Sequence, residues 1–321
     1  MKPRILITRE VFTETLDLLS QHFEVTSNQS DGVFTPDELA AQLADKQGAL
    51  TTLTDRIDAL LLERCPGVKA LCNIAVGYNN IDIAACSARK VMVTNTPGVL
   101  DDSTADFAWA LMLACARRIT EAEAWLRRGE WQGWKLKQFL GRDVHHATLG
   151  IVGMGRIGQA VAKRARGFDM TVLYHNRKRV DETIERELNA RYVALDELLA
   201  RADFVMLQVP YSRETHHLIG AKEIARMKST AILVNVARGG VVDDAALIHA
   251  LQQRQIAGAG LDVYEGEPKL NPGFLDLANV VLAPHIASST EATRREMAMT
   301  AARNLVAALT QGRPLNWVNP W

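Results

Sequence analysis

The chain has 321 residues, of which 48% are hydrophobic, and its 37 basic and 37 acidic side chains give a formal net charge of zero. With the basic residues spread along the chain, that balance argues against nucleic acid or a membrane surface as the main partner. No apolar run nears the roughly 18 residues that span a bilayer. The start, Met1–Thr8 followed by Glu10, is too short and polar for a secretory signal. Cys65, Cys72, Cys86 and Cys115 show no C-x-x-C spacing. They point to reduced, buried thiols in a cytoplasmic setting. The length suits two domains.

The first hundred residues read as a small α/β unit. Strands are expected at Arg4–Thr8, Ala49–Leu53, Ala70–Ile74 and Val91–Asn95, and helices at Val11–Phe23, Pro36–Leu43 and Ile81–Arg89. Such alternation implies a parallel sheet. Thr96-Pro97-Gly98 then punctuates the chain, and one long helical pattern follows from Ser103 to Arg128, with Asp101, Asp102 or Ser103 able to cap it. Gly129 and Gly133 break that pattern amid Trp125, Trp131 and Trp134, aromatics that suit a contact between subunits.

A second α/β unit begins at Thr148. Six apolar runs read as strands covered on both faces: Leu149–Val152, Thr171–Tyr174, Phe204–Val209, Ala231–Val236, Gly258–Asp262 and Val280–Ala283. They match a dinucleotide fold of two mononucleotide halves. The last helical pattern, Glu291–Gln311, is expected to return to the first domain, so that the chain crosses between domains twice. The expected architecture is thus two Rossmann-like or flavodoxin-like parallel-sheet domains with a cleft between them. Residues 1–99 with 286–321 form the substrate domain. Residues 100–285 form the dinucleotide domain, with a dimerisation helix and arm at about 103–148.

The segment around Gly153-Met154-Gly155-Arg156-Ile157-Gly158 fits G-x-G-x-x-G between a strand and a helix. The first glycine makes the tight turn, the second lets backbone approach a pyrophosphate, and the third packs helix on strand. The helix N-terminus offers N–H groups and a positive dipole end to phosphate. An acidic residue about 20 positions on usually holds the ribose 2′-OH of NAD. Here the strand Thr171–Tyr174 runs instead into His175-Asn176-Arg177-Lys178-Arg179. Arginines can pair with a 2′-phosphate, so NADPH is expected over NADH, with Arg177 foremost and Asn176 and Arg179 in support.

Reducing a carbonyl also takes a proton donor, a cation for an anionic substrate and a group that tunes the donor. The adjacent pairs His145, His146 and His216, His217 lack metal-ligand spacing and read as surface or capping residues; no metal is expected. His285 follows Pro284 at the end of the last apolar strand, where ligands of open α/β sheets bind. Arg238 follows the strand Ala231–Val236, placed to grip a carboxylate. Glu267 follows Gly258–Asp262 and would favour the charged form of an imidazole beside it.

Several ordered motifs then carry a resemblance over essentially the whole chain. They are Val76–Asp82, Asn95–Gly98, Gly150–Gly158, Val234–Gly240, Gly260–Pro268 and Pro284–Ile286. The chain resembles the D-isomer-specific 2-hydroxyacid dehydrogenases. The stretch Asp143–Gly155 carries a likeness to the bacterial glyoxylate/hydroxypyruvate reductase B group, also called 2-ketogluconate reductases. The resemblance implies NADPH-dependent reduction of glyoxylate, hydroxypyruvate or 2-keto-D-gluconate, with His285 as general acid, Glu267 paired to it and Arg238 on the 2-keto acid. It implies substrate contacts at Val76, Gly77 and Ser288. It also implies cofactor contacts at Thr104, Gly153, Gly155, Arg156, Ile157, Gly158, Val209, Pro210, Thr215, Val236, Ala237, Arg238, Asp262 and His285, with Asp262 on the nicotinamide carboxamide. A homodimer is expected. Tyr264 and Ala287 depart from the family's common Phe and Gly. Rival readings are a D-lactate, phosphoglycerate or formate dehydrogenase, or a catalytically silent nucleotide sensor. The retained Arg238, Glu267 and His285 speak against the last of these.

Overall fold

The computed structural model describes residues 2–321. The chain divides into two compact units. One is the chain up to Leu100 together with Ser289–Trp321, and the other is Asp101–Ser288. Both are α/β, and every strand pairing in both is parallel.

In the first unit, β1 (Arg4–Ile7), β2 (Glu24–Ser27), β3 (Gly48–Thr51), β4 (Ala70–Asn73) and β5 (Met92–Thr94) form a sheet in the order β2-β1-β3-β4-β5. This is a flavodoxin-like doubly wound order. Alternate side chains go to opposite faces: Ile5 and Ile7 join Leu19, Ala301 and Leu305 on one side, while Leu6 joins Leu39, Leu43 and Leu61 on the other. The helix Pro36–Leu43 starts where the sequence implied, because Pro36 takes the first turn and Thr35 and Glu38 form a capping box. The helix Glu291–Gln311 packs on β3, β4 and the helix Thr13–His22, all within this unit.

The second unit holds β6 (Thr148–Val152), β7 (Thr171–His175), β8 (Ala190–Tyr192), β9 (Phe204–Leu207), β10 (Ile232–Asn235), β11 (Gly258–Leu261) and β12 (Val280–Leu282). Their order is β12-β11-β10-β9-β6-β7-β8. Counted from β6, this is the dinucleotide-binding order 3-2-1-4-5-6 with one more strand, and the order reverses between β6 and β9.

Three readings are corrected. The strands β2 and β8 form where the sequence has no apolar run. Both are polar edge strands, Glu24-Val25-Thr26-Ser27 and Ala190-Arg191-Tyr192, with partly exposed positions. The long helix is two helices, Asp101–Ala116 and Ile119–Arg127. Arg118 turns left-handed at φ 52°, without the glycine that would have signalled it, while the Arg142 N–H closes on the Ala116 carbonyl at 2.7 Å. Third, Asp101 and Asp102 lie inside the first helical turn, where they complement the helix dipole.

Candidate active site

The glycine turn follows β6. Gly153 has φ +103°, and a Cβ there would lie 2.7 Å from the Gln208 backbone. A Cβ on Gly158 would lie 2.1 Å from the Gly153 carbonyl oxygen, so helix and turn touch through that glycine. Gly155 differs: a Cβ there would meet no protein atom within 4 Å. Gly155 is also the N-cap of the helix Arg156–Ala165 and supplies no side-chain cap. The first-turn N–H groups, Ile157 among them, thus have no side-chain cap from Gly155. This turn has the cradle that a pyrophosphate needs, one a methyl group would fill.

At the tip of β7, Arg177 is exposed and Asn176 half-buried. Arg179 is committed elsewhere. Its guanidinium donates two bonds to the Glu185 carboxylate, at 2.8 and 2.6 Å, and Tyr174 Oη donates to the same group at 2.5 Å. Those bonds hold the Glu185 carboxyl down at about 2. The Arg179 charge, expected to support Arg177, is thus paired with a carboxylate from the next helix. Thr215 is likewise knitted into its own turn, donating to the Pro210 carbonyl at 2.8 Å and accepting from Ser212 N–H at 2.8 Å. Thr104 is buried in the helix Asp101–Ala116, Val209 is half-buried, and Val236 and Ala237 are buried.

Three loops at the carboxyl ends of β10, β11 and β12 carry Arg238, Glu267 and His285. The Asn235 amide staples the first, donating to the Arg238 carbonyl at 3.1 Å and accepting the Ala237 N–H at 3.0 Å. Gly239 lets this loop lie against Tyr264, whose carbonyl oxygen would be 1.7 Å from an added Cβ. Glu267 accepts the Tyr264 N–H at 2.8 Å through Oε1 and faces His285 Nδ1 at 2.7 Å through Oε2. Burial pushes the Glu267 carboxyl up, but the His285 bond and charge, the Tyr264 N–H and the Arg238 charge together bring it below the usual carboxylate range. Burial pushes the Arg238 guanidinium down, opposed by the Glu267 charge. An ionised carboxylate thus sits on one nitrogen of an imidazole, with a guanidinium in electrostatic reach.

His285 itself is left-handed, at φ 55°, a conformation that costs a non-glycine residue of order 1–3 kcal/mol. Asp262 holds it there. Its carbonyl accepts the His285 N–H at 2.9 Å, and its carboxylate accepts Ile286 and Ala287 N–H at 2.7 and 2.8 Å. The side chain is fully buried. Each Asp262 carboxylate oxygen thus accepts one N–H of the His285 loop. Ser288 is half-buried just beyond. Tyr264 keeps its hydroxyl occupied, accepting Ala283 N–H at 3.0 Å and facing the Ala283 and Leu261 carbonyls.

In the first unit, Asn95 and Asn73 amides hold the carbonyls of Val76 and Gly77, at 2.8 and 2.9 Å. Among the described residues neither N–H of this pair has an acceptor. The two asparagines were not singled out in the sequence, because nothing in their spacing marks them as supports.

His145 and His146 are exposed, as expected. His216 is exposed and His217 half-buried, at the surface as expected, and with Glu265 they form a tight cluster, which no sequence spacing announces.

Residues 109–287 match the family described as D-isomer specific 2-hydroxyacid dehydrogenase, NAD binding domain. The glyoxylate reductase of Thermococcus gammatolerans is 47% identical over 99% of this chain and 96% of its own length. A Thermus thermophilus protein of known structure is 43% identical, with a TM-score of 0.91 over 98% of this chain and 99% of its own. The NADPH-dependent glyoxylate/hydroxypyruvate reductase of Sinorhizobium meliloti, solved with NADP and malonate, is 33% identical. Its TM-score is 0.89 over 99% of this chain and 97% of its own.

Proposed function

Since this chain belongs to the D-isomer specific 2-hydroxyacid dehydrogenase family, we propose that it reduces small 2-keto acids, glyoxylate foremost, to D-2-hydroxy acids. Hydroxypyruvate and 2-keto-D-gluconate belong to the same substrate range in this reading. The observation that carries it is the 2.7 Å His285–Glu267 pair at the carboxyl ends of the sheet that bears the Gly153–Gly158 turn. The first unit binds substrate and the second binds cofactor.

The turn Gly153–Gly158 would hold NADPH, whose chemistry there would be donation of the hydride. The residues of the chain do the rest. Arg238 draws in the anionic keto acid and polarises it. His285 gives its proton to the developing alkoxide oxygen. Glu267 keeps the imidazole oriented through its 2.7 Å contact with Nδ1. The unclaimed N–H groups of Val76 and Gly77 suit a carboxylate. Arg177 and Asn176 favour the 2′-phosphate of NADPH over the bare ribose of NADH. The exposed arm residues Trp131, Trp134, Leu136 and Leu140 cover one another's copies in a homodimer. Its place of work is the cytoplasm; no helix among the described residues is long and apolar enough to cross a membrane.

The deciding experiment follows nucleotide absorbance with glyoxylate, hydroxypyruvate and 2-ketogluconate, each with NADPH and NADH, for the native protein and His285→Ala. The native protein turns over with NADPH preferred, and His285→Ala loses a factor of about 10² to 10⁴. Near-native rates in His285→Ala overturn the assignment of the general acid. An unchanged KM for NADPH in Arg177→Ala overturns the cofactor preference.

A further inference from the structure

The second unit holds a cluster that the reduction does not use. One ring nitrogen each from His216 and His217 and one carboxylate oxygen of Glu265 lie within 4.8 Å of one another. His217 Nε2 is 3.1 Å from Glu265 Oε1, and the two imidazole rings stack with centroids 3.9 Å apart. Adjacent residues reach one point because the loop after β9 is tightly turned and His217 has φ 49°. The loop is pinned as well: the His217 N–H donates to the Gly240 carbonyl at 2.7 Å, and the Glu265 N–H donates to Asp244 Oδ2 at 3.1 Å.

His216 Nδ1 has an oxygen partner in Tyr211 Oη at 3.2 Å, while the Asp243 carboxylate stands 3.9 Å from His217 Nδ1. Metal-ligating histidines are commonly oriented by such an oxygen partner on the other ring nitrogen, as His216 is here. Ligands about 2.0 Å from a tetrahedral zinc ion stand roughly 3.3 Å apart, so the 3.1 Å separation of His217 and Glu265 already matches two of its vertices. The rings are partly exposed, which leaves an entry path. Two imidazoles and a carboxylate suit zinc, copper or nickel rather than the all-oxygen preference of calcium or magnesium.

We propose that His216, His217 and Glu265 form a binding site for a late first-row divalent cation, with a fourth position open to water. Occupancy ties the loop Pro210–His217 to the segment Glu265–Pro268. The first carries the proposed cofactor contacts Pro210 and Thr215, and the second carries Glu267. A bound cation therefore restrains both loops and slows turnover. The proposed reduction uses none of these three side chains, so the site is inhibitory rather than catalytic.

Equilibrium dialysis of the metal-stripped protein against zinc, read by elemental analysis, tests this. The native protein takes up one zinc per chain, and cobalt at the same site gives the visible absorption of a tetrahedral complex. His216→Ala and Glu265→Gln each lower zinc affinity at least tenfold while retaining metal-free activity, and they relieve inhibition by added zinc. His285→Ala retains the zinc, which separates this cluster from the His285–Glu267 pair. No stoichiometric uptake means that His217 and Glu265 are only an ion pair, and overturns the site. Uptake unchanged in both cluster variants overturns it too. Binding that meets these tests without slowing turnover overturns the regulatory part. None of these readings depends on which keto acid the enzyme prefers.

Discussion

Two glycines three residues apart in one turn have opposite reasons to be glycine. Gly158 is needed by the fold, since a methyl group there meets the Gly153 carbonyl oxygen at 2.1 Å, whereas at Gly155 it meets nothing. Gly158→Ala is expected to cost about 1–3 kcal/mol of stability, as overpacking does, and to lower the melting temperature. Gly155→Ala keeps the melting temperature of the free protein and weakens NADPH binding at least tenfold by titration. Equal melting losses in both would show that the space at Gly155 serves packing instead. Asp244 offers a pH test. It is buried at the start of the helix Asp244–Gln252, and burial pushes its carboxyl up to about 6 against the pull of the Glu265 N–H. Its native state thus takes up a proton before the unfolded chain does. Ionised Asp244 burdens the fold above pH 6, by on the order of 3 kcal/mol, and the burden lifts as pH falls from 6 towards 4. Asp244→Asn should melt higher than the native protein at pH 7.5 and level with it near pH 4, by calorimetry. At this scale Arg238, Glu267 and His285 could be found in the sequence because each follows an apolar strand. The tasks of Arg179 and Asp262 could not, because they depend on a carboxylate arriving from the next helix and on two N–H groups beyond the next strand.

Apolar periodicity located the buried elements and passed over those at the margins. The strands β3, β4, β9 and β10 are buried at every position, so their sequences are continuous apolar runs. The edge strands β2 and β8 each have one uncovered side and read as polar linkers. The break at Arg118 was invisible for a different reason, since its cause is tertiary: the chain at Arg142 closes the end of the preceding helix. The helix Glu291–Gln311 was legible to the residue, starting from the Thr290 cap and ending at left-handed Gly312. Its fully buried Leu305 joins Ile5, Leu50 and Ala70. Leu305→Ala should therefore cost about 2–5 kcal/mol, measured by urea denaturation. A loss below about 1 kcal/mol would mean that this helix is not part of the first unit's core.

For the molecule as a whole, charge gave only exclusions, whereas the arm gives a positive signal. Trp134 is 78% exposed, and Leu136 and Leu140 beside it are 74% and 64% exposed. Large apolar side chains exposed close together in sequence suit the contact of the proposed homodimer. Light scattering should report a dimer for the native protein and a smaller species for Trp134→Ser with Leu136→Ser. A native monomer at micromolar concentration would remove the homodimer from the proposal. Which face meets which was beyond the sequence, because a single chain does not record its partner's position.

The connectivity has a consequence for how damage spreads. Residues 101–288 are an insertion within the first unit, whose two pieces must find each other across it. While the insert is folded, its ends are tied by its own structure. Once it melts, the first unit must close a long slack tether, at an entropic cost that grows with the logarithm of its length. Harm should therefore travel one way. Gly158→Ala should hasten amide exchange in the helix Glu291–Gln311, whereas Leu305→Ala should leave β6 and β9 as well protected as before.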